Sequence, residues 1–350
     1  MSEINYRNYQ PMVEATRGPI VESIHMGAVA VSDANGNLLA SYGDPRTVTF
    51  LRSSAKPFQA LPFIEMGGAE AFGLTDREVA VLCASHAGTD DHVAVIRGIQ
   101  QKIGVTEKDL LCGIHPPEDE ATAEAMVLRG ETPTPVRHNC SGKHTGMLAH
   151  AILRHLPIED YINPQHPIQK TILQEFSEMC EIPVGQVILG TDGCSAPVFA
   201  VPLQNAARGY ARLCGPDGLA APREAACRRI TRAMSSNPDR IAGPGRFDTV
   251  LMQVGAGKIV SKGGAEGYQA LGLLPGGRGP GSPALGITFK IADGDISGRA
   301  RALASVEILR QLDALSDEQV LALAAFGTRP LRNWRKLPVG EIRPCFILQR

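Results

Sequence analysis

The sequence lacks the marks of several large protein classes. Residues 1–18, MSEINYRNYQPMVEATRG, carry neither a basic start nor an apolar core, so no secretory signal is expected. No run of 18 apolar residues occurs, so no membrane span is expected. Neither sign of charge dominates: the formal net charge is -1, which argues against a nucleic-acid or anionic-membrane partner. Cysteine pairs at CxxC spacing are absent. The eight cysteines, at 83, 112, 140, 180, 194, 214, 227 and 345, are widely spaced and read as reduced thiols of a cytoplasmic protein. Histidine is missing from the second half: all nine lie between His25 and His166, so chemistry further along must use other groups. There is no internal repeat and no low-complexity segment.

What is present suits a folded chain with a sizeable core. At 350 residues, 43% hydrophobic and 20% charged, it has the material for two domains. Residues 24–44, IHMGAVAVSDANGNLLASYGD, predict a β-hairpin turning at Asn35-Gly36. The middle of the chain repeats apolar residues at three- and four-residue steps. TDREVAVLCASH, HVAVIRGIQQKIG, DEATAEAMVLRG, HTGMLAHAILRHL and HPIQKTILQEFSEMC all read as helices, as do 197–213 and 222–236. TVLMQVG (249–255), GKIVSKGG (257–264) and ALGITFKIADG (284–294) read as strands. LLPGGRGPGSP (273–283) reads as a flexible loop, and ISGRARALASVEILRQLDAL as one long helix. Strands at both ends and helices between them predict an α/β (α+β) architecture. Residues 1–50 with 246–350 would form one sheet domain, and 51–245 a mainly helical one.

The stretch FLRSSAKPFQALPF (50–63) poses the chemical question. Pro57 belongs in a first helical turn, so a helix should begin near Ser53, with Ser53 and Lys56 on one face. Two arrangements satisfy this spacing. The commoner is a capping serine with a solvated lysine. The other is a nucleophile and its base, favoured if burial or the neighbouring Arg52 lowers the lysine's proton affinity. The order of motifs supports the second. Serine β-lactamases and penicillin-binding proteins have Ser-x-x-Lys at a helix start and Lys-Thr-Gly on a later strand. Here GKIVSKGGAEG carries Lys262-Gly263-Gly264, with Gly263 where those enzymes have a hydroxyl.

Taken together, LRSSAKPFQALPF, CASHAGTDDH, RHNCSGKHTGML, GTDGCSAPVFAVPL, GRFDT, SKGGAEG, LGITFKIADGD and VGEIRP resemble the rhizobial-type (class 3) L-asparaginases along nearly the whole chain. That resemblance implies a serine β-lactamase/penicillin-binding-protein-like fold, similar also to glutaminases. It implies hydrolysis of L-asparagine to L-aspartate and ammonia through two Ser–Lys pairs, Ser53 with Lys56 and Ser85 with Lys262. Lys262 is preferred to Lys258 because it abuts GGAEG. It further implies one Zn2+ per chain on Cys140, Lys143 and Cys194, with His138 and His144 beside it, and a homodimer. Arg52, Lys143 and Asp192 are the charged candidates for holding the amino acid; an Asx-turn is the plainer role for Asp192. His86 and His92 could pair with Ser85, but six residues apart they need not share a helix face, and they are expected to be structural or to support the site residues from behind. Other outcomes with the same residues are a glutaminase or β-lactamase-like amidohydrolase, or a non-catalytic amino-acid sensor. GGRGPGSP is longer than the turn usual in the family.

Overall fold

A computed structural model describes residues 6–350. Its strands are β1 (Gln10–Arg17), β2 (Ile20–Asp33), β3 (Leu38–Tyr42), β4 (Val48–Phe50), β5 (Ile188–Thr191), β6 (Pro197–Pro202), β7 (Ile259–Gly264), β8 (Tyr268–Leu273), β9 (Leu285–Ile291), β10 (Arg329–Arg332) and β11 (Pro338–Pro344). The helices are α1 (Lys56–Glu65), α2 (Gly68–Ala71), α3 (Asp76–Leu82), α4 (Asp90–Ile103), α5 (Glu120–Leu128), α6 (Ser141–Leu153), α7 (Pro167–Cys180), α8 (Leu203–Cys214), α9 (Ala221–Ser236), α10 (Pro238–Ile241), α11 (Phe247–Val254), α12 (Arg301–Gln311) and α13 (Asp317–Ala322). The chain divides into two compact units. Met1–Leu51, Val201–Gly215 and Val254–Arg350 form one; Arg52–Ala200 and Pro216–Gln253 form the other.

The first unit is built on an antiparallel sheet, ordered β10-β11-β1-β2-β9-β8-β7, with β3 also paired to β2. Both chain ends therefore contribute to one sheet. Ala28–Val31 of β2 are all buried, so this strand reads as a continuous apolar run, as a strand covered on both faces must. The expected hairpin forms, and the Asp33 carboxylate accepts from both the main chain and the side chain of Asn37 to close it. Helix α8 packs on β9, β2 and β8. At Gly286 of β9 a Cβ would lie 1.8 Å from the Ala207 carbonyl oxygen, so only glycine admits the α8 backbone there.

Several expectations change. Residues 197–202 are a strand, and the helix expected from 197 starts at Leu203. The strand expected over 249–255 is α11, because a short, mostly apolar run has no clear period to separate strand from helix. Both changes move the unit boundaries: α8 belongs with the sheet rather than with the helical segment, and α11 with the helices. The 273–283 segment is a chain of hydrogen-bonded turns, with Gly276 N–H donating to Ser282 O and Leu274 N–H to Lys258 O. The long C-terminal helix begins only at Arg301. Before it, the Asp295 carboxylate accepts from the main-chain N–H groups of Arg299, Ala300 and Arg301.

The second unit centres on α6, which packs against α1, α3, α4 and α7. Residues Ser141–Ala151 of α6 are all buried, which accounts for its apolar residues over most of its circumference. At Gly142 a Cβ would sit 2.2 Å from the Val81 carbonyl oxygen, so α3 and α6 touch backbone to backbone there. Strands β5 and β6 form a hairpin, closed by Asp192 N–H donating to Ala196 O, with Ser195 at φ 69° in the turn.

Candidate active site

The start of α1 is built as the proline predicts. A 3-10 turn over Arg52–Ala55 leads into α1, with Pro57 in its first turn, and Arg52 holds a left-handed φ of 51°. A non-glycine residue in that region is uncommon and marks a backbone constrained by its surroundings. Lys56 is fully buried. Its Nζ lies 2.6 Å from the Ala84 carbonyl oxygen, 2.8 Å from Ser85 Oγ and 3.5 Å from the Asn139 carbonyl oxygen. Ser85 stands in the loop after α3, fixed by its own N–H to the Ile241 carbonyl oxygen at 2.9 Å. The lysine of the contiguous motif is thus hydrogen-bonded to the second serine, and among the described residues Ser53 Oγ has no hydrogen-bond partner. Lys262 lies buried on β7 of the sheet unit, its Nζ donating to the Gly263 carbonyl at 2.8 Å, whereas Lys258 is exposed.

The Lys56 contacts define a proton path. Two of its three neighbours are carbonyl oxygens, which only accept; the third is a hydroxyl, which accepts or donates. As an ammonium, Lys56 donates to all three. As a neutral amine it keeps two donations and takes the Ser85 proton on its lone pair. A proton can therefore pass between the two groups without moving a heavy atom.

Beside this pair lies a sulfur cluster. Cys140, at the start of α6, and Asp192 and Cys194, in the β5–β6 turn, present ligand-type atoms within 4.8 Å of one another. Lys143 Nζ is 2.8 Å from Cys194 Sγ, and Arg52 Nε donates to Asp192 Oδ1 at 2.7 Å. The Cys140 thiol donates to Asn139 Oδ1 at 3.2 Å and the Cys194 thiol to Asp192 Oδ2 at 3.7 Å. The close approach of the two cysteines lowers the Cys140 thiol and raises that of Cys194. Burial alone would lower the Lys143 ammonium, but the two sulfurs and Asp192 outweigh it and raise it. Burial would likewise raise the Asp192 carboxyl, but Lys143 and Arg52 hold it below the carboxylate range. The donor set fits zinc by type and spacing through two sulfurs and a carboxylate. Lys143 fits only after giving up a proton that these same anions stabilise. Asp192, expected as a substrate contact, is therefore also the third ligand-capable group.

The histidines support the site from behind. His86 Nδ1 accepts from Gly88 N–H, so its Nε2–H donates to Ser141 Oγ at 2.9 Å; burial keeps the ring neutral. His92 bridges Thr89 and the Asp239 carbonyl, its ring 5.1 Å from that of His86; burial lowers it to about 4. His138 Nδ1 accepts from Cys140 N–H and the ring helps lower the Cys140 thiol, while His144 Nδ1 bonds Tyr161 Oη. Sequence reasoning missed Ala84, Asn139 and Ser141. Ala84 and Asn139 act through main-chain carbonyls, which leave no trace in residue type.

A family model described as L-asparaginase II matches residues 13–344. The chain is an amidohydrolase. It belongs to the L-asparaginase II family. No curated protein matches it. Among solved structures it is similar to a probable glutaminase from Bacillus subtilis complexed with 6-diazo-5-oxo-L-norleucine. The identity is 10% over 83% of this chain and 84% of that one, with a TM-score of 0.37. Another similar structure, of Mglu, has 15% identity over 83% of this chain and 67% of that one, with a TM-score of 0.36. At such values the likenesses are too loose to bear on mechanism.

Proposed function

We propose that this amidohydrolase converts L-asparagine to L-aspartate and ammonia through a serine acyl-enzyme. The observation that carries the reading is Lys56, buried and 2.8 Å from Ser85 Oγ, three residues after a serine at the start of a helix. Ser53 Oγ attacks the side-chain amide carbon and yields its proton to the Lys56–Ser85 pair. It is not hydrogen-bonded to Lys56 in the resting structure, so this transfer requires Ser53 to turn toward the amine. Lys56 and Ser85 pass that proton to the departing nitrogen; the C–N bond breaks and ammonia leaves. Water then attacks the ester, giving its proton back through the same pair, and aspartate departs. Two features favour Ser53 as the attacking oxygen. The first turn of a helix carries N–H groups without helical acceptors, suited to an oxyanion. The Ser85 N–H, by contrast, is already spent on Ile241. Arg52 and Asp192 are of opposite charge and suit the α-carboxylate and α-amino groups of the substrate, with Lys143 as a further cation.

The family resemblance gives Lys262 a part in the same chemistry, and Lys262→Ala tests it. Zinc, where bound, would be held by Cys140, Cys194 and either Asp192 or a deprotonated Lys143. It would supply a fixed positive charge that orders the 140–144 segment and the substrate. A homodimer remains part of the proposal through the resemblance alone, since α6 spends its apolar surface inside its own unit.

A reversed division of labour, with Ser85 attacking, is favoured by the same Lys56–Ser85 hydrogen bond. Peptide mapping after reaction with a diazo-ketone analogue of asparagine separates the two. Label on Ser53 supports attack by Ser53 Oγ, and label on Ser85 reverses the roles.

A further inference from the structure

Asn139 touches Lys56 with its carbonyl oxygen and is held from outside by one short segment, His115–Glu118. His115 Nδ1 is 2.6 Å from the Pro116 carbonyl oxygen, so Nδ1 carries the proton and donates. Nε2 is left to accept, and it takes the Asn139 N–H at 3.0 Å. The Asn139 side-chain amide donates through Nδ2 to Glu118 Oε1 at 2.6 Å. Partial burial would raise the Glu118 carboxyl, but Arg246 and the Asn139 amide hold it below the usual range, so it is an anionic acceptor. Arg246, in the turn before α11, bonds the other Glu118 oxygen. The amide orientation follows: with Nδ2 committed to Glu118, Oδ1 accepts from the Cys140 thiol at 3.2 Å. Asn139 thus stands between the catalytic lysine and the sulfur cluster, gripped at its main-chain N–H and at its side chain.

We propose that His115 and Glu118 are positioning residues for Lys56, acting through Asn139. This rests on the reading that Lys56 moves the proton. Neither residue bonds Lys56 or either serine; they fix the peptide whose carbonyl takes one of the three Lys56 protons and so fix where its remaining N–H or lone pair points. Misplacement of a reacting group by about 1 Å costs on the order of a hundredfold in rate, so a loosened clamp should be felt in turnover.

The test compares Glu118→Ala with Glu118→Gln. Glutamine keeps an oxygen that accepts from the Asn139 amide and gives up only the charge. Glu118→Ala should lower kcat by about tenfold to a hundredfold with KM within about twofold, and Glu118→Gln should keep most of the wild-type kcat. His115→Ala should behave as Glu118→Ala does, and it serves as the second measurement if Glu118→Ala fails to fold. Wild-type kcat in Glu118→Ala, or a raised KM at unchanged kcat, overturns the proposal. Equal damage from alanine and glutamine overturns it too, because charge rather than the hydrogen bond would then be the cause. Labelling by a fluorophosphonate reports serine activation without asparagine, so it separates this proposal from the substrate assignment. The labelling rate should fall in Glu118→Ala and hold in Glu118→Gln even if asparagine proves the wrong amide. Unchanged labelling in Glu118→Ala contradicts the clamp.

Discussion

Every proton of a Lys56 ammonium has an acceptor, and only the Ser85 hydroxyl can return one. If the pair acts as a unit, its losses should not add. Lys56→Ala, Ser85→Ala and the double variant should each lose turnover by about a thousandfold or more, the double no worse than the poorer single. Ammonia release under saturating substrate measures this, and additive losses would separate the two residues. The sulfur cluster makes a second prediction. Purified protein should carry about one zinc per chain, as a single site requires, and Cys194→Ala should lose it. Because Lys143 is held as an ammonium and zinc takes cysteine only as thiolate, zinc uptake should release protons and weaken as pH falls. A pH-indicator titration reads the protons, and metal analysis showing no zinc even after add-back would contradict the site. Ser53 and Lys56 were legible as a pair because they lie in the contiguous motif SSAK. Ser85 in CASHAG and Cys140, Lys143 and Cys194 came from the family resemblance alone, since widely separated cysteines and a lysine form no recognised zinc spacing. The hydrogen bonding among these residues was not legible. Helical spacing offered Ser53 to Lys56, whereas the observed hydrogen bond joins residues 29 apart through a loop no period describes.

At the scale of elements, the packing of α6 on α3 and the joint of α1, α7 and α9 each carry a consequence. Gly142→Ala would drive a methyl into the Val81 backbone, which cannot swing aside as a side chain can. It should cost about 1–3 kcal/mol by chemical denaturation, as overpacking does, and should disturb the neighbouring Lys143 and Cys140. At the other joint, Arg223 of α9 faces Glu65 of α1 and Glu175 and Glu178 of α7. Three carboxylates around one guanidinium cannot all be anionic cheaply. Burial pushes the Glu175 carboxyl up from 4.5 to about 8, with Arg223 only partly opposing. The folded state then binds more protons than the unfolded one between those values, so stability should fall as pH rises from about 4.5 to 8 and level off above. Glu175→Gln should flatten that slope in denaturation series across this window; an unchanged slope would place its cause elsewhere. The long periodic helices were legible. PVFAVP and TVLMQVG were not, because apolar runs this short take their conformation from what they pack against.

For the whole molecule, the joining of both chain ends in one sheet could be read from where strand-like segments fall. The assignment of α8 to that sheet could not, since it depends on backbone contact at Gly286 rather than on any pattern within residues 203–214. Of the proposed site residues, all but Lys262 lie in the helical unit, so one compact unit carries Ser53, Lys56, Ser85 and the two thiols. The most direct measurement of asparagine hydrolysis by Ser53 is ammonia release by the intact protein from L-asparagine and, in parallel, from L-glutamine, with Ser53→Ala as control. Turnover of asparagine, slower turnover of glutamine, and loss of both in a folded Ser53→Ala protein are the expected results. Ammonia from neither amide, or undiminished release by Ser53→Ala, would contradict a serine asparaginase built on Ser53.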